Sequence, residues 1–303
     1  MAPPVTQILN FSDEAIGKAA ELICAGEPVA MPTETVYGLA ADATNAEAVA
    51  RIYEAKGRPS FNPLIVHVLD LEAAERLGVF GDAARKLAEK YWPGPLTLVV
   101  PASEASGIAS LVTAGLDTIA IRVPAHPAMR ALLSAAGRPL AAPSANASGR
   151  ISPTRAGHVV ESLNGRIALV IDGGPCERGI ESTIVAATGG PLRLLRRGPI
   201  DVDAEERAGG IEAPGMMASH YAPGKPLRLN AESAEIGEIL LGYGEVQGNL
   251  YLGDDPVTAA ARLFDLMHQA DAASEPRIAI APIPGDGLAA AIRDRLKRAA
   301  APR

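Results

Sequence analysis

The sequence predicts an α/β protein: one mixed, twisted open sheet with flanking helices, followed by a smaller α/β domain. Three observations predict it. Apolar runs of strand length alternate with segments of helical period from Ser12 to Leu195. Glycine and proline punctuate nearly every junction, as in Pro93-Gly94-Pro95. Composition changes near Ile200, and a second, shorter alternation starts after Pro226. The expected units are a domain over 1–200, a linker over 201–225 and a tail domain over 226–303.

In chain order, Ser12 is a helix N-cap with Asp13 and Glu14 in the first turn. Ile16, Ala19, Ala20 and Ile23 keep one face, Cys24 is expected in the core, and Gly26 supplies the left-handed terminus. Val29–Met31 reads as a strand. Asn45 caps the helix that carries Val49, Ile52, Tyr53 and Lys56, and Leu64–Val68 reads as the next strand. Helices follow at 71–78 and 82–91, then strands at 96–100, 118–123, 140–142, 167–171, 182–185 and 192–195. Helices at 127–136 and 154–163 intervene. In the tail, strands at 227–229, 250–252 and 278–281 are each expected to be followed by a helix. Asp255-Pro256 starts the second of these helices, with Val257, Ala260, Phe264 and Met267 on its inner face.

Composition narrows the function. The 303 residues are 48% hydrophobic and 21% charged, enough for a sizeable core. Aromatics at 4% disfavour a base-stacking platform. Residues 1–200 hold 18 Lys+Arg against 19 Asp+Glu, and residues 201–303 hold 10 against 16, so the net charge of −7 divides into −1 and −6. Neither part has the basic excess of a dedicated nucleic-acid binder. Cys24 and Cys176 show neither metal-ligand spacing nor a disulfide framework. With no leader-like start and no long apolar window, a cytoplasmic, non-membrane protein is expected.

The chemistry centres on Lys56-Gly57-Arg58-Pro59-Ser60-Phe61-Asn62-Pro63, where two cations sit on a stiff loop between a helix and a strand. A planar guanidinium and a compact ammonium held this way suit a polyphosphate. A solvated surface turn is the bland alternative. Thr33-Glu34-Thr35 ends an apolar strand, and Glu34 reads as structural or metal-tuning, because a carboxylate near phosphates repels them. Thr118, Ala120 and Arg122 share a strand face. Arg122 either pairs internally with Asp117 or Asp172, or awaits an external anion. Pro143-Ser144-Ala145-Asn146-Ala147-Ser148-Gly149 with Ser152 offers small donors for phosphate oxygens, or is an ordinary Ser/Asn/Gly turn. Gly173-Gly174-Pro175, Glu181-Ser182-Thr183 and Arg196-Arg197-Gly198 are further polar clusters. His67, at a strand end, fits a satisfied core histidine. No Walker A loop, Rossmann glycine fingerprint, His/Cys metal cluster or G-x-S-x-G elbow occurs in the sequence.

Taken together, Pro32–Leu39, Lys56–Pro59, Asn62–His67, Trp92–Thr97 and Pro143–Asn146 resemble the YrdC-like family. Pro214-Gly215-Met216, His220-Tyr221-Ala222-Pro223 and the tail resemble its long, two-domain form, with a small Rossmann-like tail. Two departures from that form are Met217-Ala218, where relatives often carry a basic residue, and a short tail. The resemblance implies an enzyme that joins L-threonine, bicarbonate or CO2, and ATP into threonylcarbamoyl-AMP, releasing pyrophosphate. A tRNA threonylcarbamoyl-transferase complex would receive the product, and a weak RNA contact is compatible with that role. By matching motif position, Thr35, His67, Arg122 and Ser182 hold threonine, with Ala142 contributing backbone. Lys56, Arg58, Asn62, Thr118, Ser144, Asn146, Ser152 and Arg196 hold ATP. Tyr221, on the linker, closes over the nucleotide. Lys56 and Arg58 are the expected catalytic pair, with Mg2+ arriving on the phosphates rather than at a protein metal site. Two rivals are an RNA-binding module without chemistry, and carbamoyl-adenylate chemistry on another acceptor, as in longer hydrogenase-maturation relatives with zinc-finger cysteines.

Overall fold

The computed structural model of the protein describes residues 5–206, 212–215 and 219–302. Met216, Met217 and Ala218 lie outside the described residues. Strand β1 (Gln7–Asn10) precedes helix α1 (Asp13–Cys24), which starts where the Ser12 hydroxyl accepts the Ala15 N–H at 3.2 Å. Strands β2 (Val29–Met31) and β3 (Gly38–Asp42) pair antiparallel around a buried turn at 32–37. Helix α2 (Ala46–Lys56) is capped by the Asn45 side chain and ended by Gly57 at φ 58°. Then follow β4 (Ile65–His67), α3 (Leu71–Glu75), α4 (Asp82–Tyr91), β5 (Leu96–Pro101), α5 (Ser110–Thr113), β6 (Thr118–Arg122) and α6 (Pro127–Ala136). The first unit ends with β7 (Leu140–Ala141), α7 (Ala156–Leu163), β8 (Leu169–Asp172), β9 (Thr183–Ala186), β10 (Arg193–Arg196) and β11 (Glu205–Glu206).

These strands form one mixed sheet in the order β1-β8-β2-β3-β7-β4-β6-β5-β9-β10-β11. Period-2 alternation builds a core on each face. Ala30, Leu39 and Ala41 pack with α2, α4 and α7, whereas Val29, Met31 and Ala40 pack with α1 and α6. At the centre, β4 lies parallel to β6 with His67 opposite Arg122, and antiparallel to β7 with His67 opposite Leu140. That register sets two polar side chains next to each other where neighbouring strands end.

The tail comprises β12 (Leu227–Leu229), β13 (Glu238–Gly242), β14 (Leu250–Tyr251), α8 (Pro256–Ala272), β15 (Arg277–Ile280) and α9 (Leu288–Ala299). Its four strands are parallel, in the order β12-β15-β13-β14. Its core also takes in Val36, Ile151, Ile180 and Tyr221, so the tail packs directly on the first unit. Gly179 permits this approach: a Cβ there would lie 2.2 Å from the Ala260 carbonyl oxygen on α8.

Several expectations change. The first helix expected in the tail is instead β13, because Gly237 at φ 79° breaks the helical pattern and Glu238–Gly242 is buried between two parallel partners. The sequence pattern also missed β1, β3 and β11. Cys24 is exposed, since it falls off the Ile16–Ile23 stripe of α1. Val257 is 61% exposed; the inner stripe of α8 runs through Ala259, Ala260, Leu263, Phe264 and Met267.

Candidate active site

The turn after β2 is held by one hydroxyl. Thr33 Oγ1 donates to the Val36 carbonyl at 2.6 Å and accepts the Thr35 and Val36 N–H groups at 3.1 and 3.3 Å. This fixes Thr35, whose Oγ1 accepts from Arg122 Nη1 at 2.9 Å. Arg122 Nη2 also approaches Glu34 Oε1 to 2.6 Å, in an ion pair off the line of a good hydrogen bond. Burial pushes the Glu34 carboxyl up, but the Arg122 guanidinium beside it more than offsets this and holds it below its ordinary value. The internal partner of Arg122 is therefore Glu34, not Asp117 or Asp172. Asp117 is exposed, and Asp172 accepts from Tyr37 Oη and Gly174 N. Glu34 is thus the internal counter-charge of Arg122.

His67 is buried beside Arg122, and its Nδ1 has no hydrogen-bond partner among the described residues. Burial first, then the Arg122 charge, lowers its pKa to about 3, so the imidazole is neutral. It offers a hydrogen bond to a ligand, unlike the satisfied core histidine that its strand position suggested.

Lys56 leaves the end of α2 and donates to the carbonyls of Ser144 and Asn146 at 2.6 and 2.5 Å, and to Asn146 Oδ1 at 3.4 Å. It thereby ties the loop after β7 to the helix. Burial, then the nearby Arg58 charge, lowers its pKa well below the ordinary lysine value. Arg58 is clasped by its own loop: Nε donates to the Asn62 carbonyl at 3.2 Å and Nη2 to that of Pro63 at 2.8 Å. Across the site, Arg196 donates to the Ser182 carbonyl and hydroxyl, both at 3.0 Å, and to the Pro214 carbonyl at 3.2 Å. Ser182 Oγ also meets Thr97 Oγ1 at 2.7 Å.

One cavity of about 50 Å³ joins many of the predicted residues: Thr35, Arg58, His67, Arg122, Ala142, Ser144, Ser182, Arg196 and Tyr221 all line it. Lys56, Asn62, Thr118, Asn146 and Ser152 are not part of its wall. Asn62 and Asn146 are buried just behind it with Lys56 and Arg58. Ser152 stands behind the wall residue Glu181, donating to its Oε1 at 2.5 Å. Thr118 shares the face of Arg122 but sits about 13 Å along β6, at the opposite end of the strand. Glu181 and His220 line the cavity without having been predicted to. The sequence signal for Glu181 was its place directly before Ser182, and for His220 its place beside Tyr221.

Around this cavity the buried cations Lys56, Arg58, Arg122 and Arg196 outnumber the buried carboxylates Glu34 and Glu181. Both carboxylates are engaged by arginines, at 2.6 and 2.8 Å. A concavity with surplus positive charge and small hydroxyls is a site for anions. Pro214, Gly215, His220 and Tyr221 form its outer wall. Gly215, at φ 83°, is required there, because a Cβ would lie 2.7 Å from Tyr221 Oη.

A model of the Sua5/YciO/YrdC family, described as "Telomere recombination", matches residues 21–198. The chain belongs to this family. A second model, "Threonylcarbamoyl-AMP synthase, C-terminal domain", matches residues 180–301. Among family members, Bacillus subtilis threonylcarbamoyl-AMP synthase is 40% identical over 98% of this chain and 96% of its own length. The Pyrococcus abyssi enzyme of the same name is 38% identical over 93% of this chain and 92% of its own. A crystal structure of Pyrococcus abyssi Sua5 complexed with L-threonine superposes with a TM-score of 0.85 at 36% identity, covering 98% of this chain and 97% of that one. The two-domain architecture is thus that of the long family members. No helix among the described residues is long and apolar enough to cross a membrane.

Proposed function

We propose that the protein is an L-threonylcarbamoyladenylate synthase: L-threonine, bicarbonate or CO2, and ATP give threonylcarbamoyl-AMP and pyrophosphate. One observation carries this reading. Arg58, Arg122, Arg196, Ser144, Ser182, Thr35 and His67, from six separate stretches of chain, converge on one cavity. The names of the full-length relatives, and the threonine in the Pyrococcus abyssi structure, support it.

In this reading, the threonine amine loses a proton and adds to CO2, giving a carbamate. A carbamate oxygen then attacks the α-phosphorus of ATP, the bond to the β-phosphate breaks, and pyrophosphate leaves. The protein's work is to bring two anions together and stabilise the leaving charge. Arg122 clamps the threonine carboxylate, flanked by Thr35, Ser182 and neutral His67. Arg58 and Arg196 face the phosphates with Ser144, and Lys56 holds the Ser144–Asn146 loop in register. Thr118, at the far end of the β6 face, suits the nucleoside end of a long ligand. ATP enters as its Mg2+ complex. Glu34 and Glu181 are both paired with arginines, so the Mg2+ would come with the nucleotide rather than be held by these carboxylates.

The wall bearing Gly215, His220 and Tyr221 borders the cavity on the linker side, where it can cover a bound nucleotide. The adenylate is handed to a tRNA threonylcarbamoyl-transferase complex, in the cytoplasm. Mass detection of the adenylate with and without threonine tests the proposal. Product only when threonine, bicarbonate and ATP are all present is expected; an adenylate formed without threonine would favour a different acceptor.

A further inference from the structure

We infer that Arg295, on helix α9 of the tail, is a positioning residue for the nucleotide: it neutralises Glu181 in the cavity wall so that this wall can accept a triphosphate. The inference rests on the reading of the cavity as an ATP site.

Glu181 lines the same cavity as Arg58 and Arg196, and an unpaired carboxylate there would oppose every phosphate that entered. Its two oxygens are instead occupied. Oε1 accepts from Ser152 Oγ at 2.5 Å, and Oε2 accepts from Arg295 Nε at 2.8 Å. Burial pushes the Glu181 carboxyl up, but Arg295 and Arg196, with hydrogen bonds from Ser152 and Arg295, bring it below its ordinary value.

The guanidinium is fully committed. Its Nη2 donates to the Arg197 carbonyl at 2.8 Å and its Nη1 meets Asp294 Oδ2 at 3.1 Å. Its carbon sits 5.3 Å from the centre of the Tyr221 ring. The side chain is 0% exposed. Arg295 therefore touches the catalytic domain at Glu181 and Arg197 and the linker at Tyr221, while its own backbone belongs to the tail.

Packing alone does not explain it. Arg295 falls on the buried stripe of α9 with Ile292, Leu296 and Ala299, where an apolar side chain would fill the space. A buried ion pair is commonly no more stabilising than a hydrophobic pair of similar volume. What the pair does supply is a carboxylate that orients Ser152 without presenting a net negative charge to the ligand. The tail thus completes the charge balance of a site formed otherwise by the first unit and the linker.

The test uses the full-length chain, comparing ATP affinity by calorimetry and threonine KM in adenylate synthesis. Arg295→Met is expected to weaken ATP binding at least about tenfold, with a much smaller change in threonine KM. Adding Glu181→Gln to that variant should restore ATP affinity, because the unpaired charge is the cause. Thermal unfolding checks that each variant is folded, and Arg295→Gln replaces the Met variant if that one does not fold. Unchanged ATP affinity in the folded variant, or a double variant no better than the single, would overturn the inference while leaving the ATP site intact. Wild-type protein that bound no ATP would instead remove the site reading on which it rests.

Discussion

Replacing Glu34 by Gln isolates the charge that Arg122 answers inside the protein. The side chains of Arg122 and Glu34 are 4% and 7% exposed and approach to 2.6 Å, so solvent screens the pair little. Two unit charges about 4 Å apart interact by about 4 kcal/mol at an effective dielectric of 20, and removing one partner of a buried pair costs about 3–5 kcal/mol. Gln retains a carbonyl that can accept from the guanidinium, which puts the expected loss near the lower end, about 3 kcal/mol. Arg122 also keeps its bonds to Thr35 Oγ1 and the Gly94 carbonyl, at 2.9 and 3.2 Å, so its position survives. The same change leaves a buried cation without a counter-charge beside the cavity, and a threonine carboxylate would supply one. The variant should therefore be less stable alone yet gain more from threonine than the wild type does. Denaturant unfolding with and without saturating threonine measures both effects. A stability within about 0.5 kcal/mol of wild type, or an equal threonine increment in the two proteins, would refute the reasoning.

Arg58→Ala should lower kcat/KM by about 10²–10³-fold, the scale of losing one preorganised charge-stabilising donor, and Lys56→Ala should lower it as well by releasing the Ser144–Asn146 loop. Near-normal pyrophosphate release by both rules their assignment out. Tyr221→Phe removes a buried hydroxyl that has no hydrogen-bond partner among the described residues, which should raise stability by about 1 kcal/mol while weakening nucleotide binding; if melting and kinetics both stay put, the residue is a bystander. Acid should destabilise the fold before it protonates the buried carboxylates. Burial, the leading cause at each, lowers His67 and His220 to about 3 and His158 to about 4, so the unfolded chain takes up protons below pH 6.5 that the folded one refuses. Stability is then fully present above that pH and falls by about 4 kcal/mol between pH 7.5 and 5.5, at about 1.4 kcal/mol per pH unit for each histidine. Denaturation midpoints that do not move over that range would contradict these burials.

Much of the fold was legible because its signals are local. Ser12, Asn45 and Asp255 cap the helices they were expected to cap, and Gly57 ends the helix that delivers Lys56. The alternation of strand-length and helix-length runs pointed to a mixed sheet with a smaller α/β tail, and short polar stretches at strand ends marked Arg58, Arg122, Ser144, Ser182 and Arg196, which share one cavity. What stayed hidden depends on groups far apart in the chain. Glu34 meets Arg122 because β2 and β6 lie in one sheet, and Glu181 meets Arg295 because the tail packs on the first unit, so neither pair has a spacing to read. The strand β13 was hidden for a related reason: a run such as Glu238–Gly242 suits helix or strand until two parallel neighbours claim its backbone hydrogen bonds. Sequence determined which side chains could answer an anion; tertiary packing decided which of them face it and which charges are already spent on each other, because ion-pair energy depends on distance and burial rather than on order along the chain.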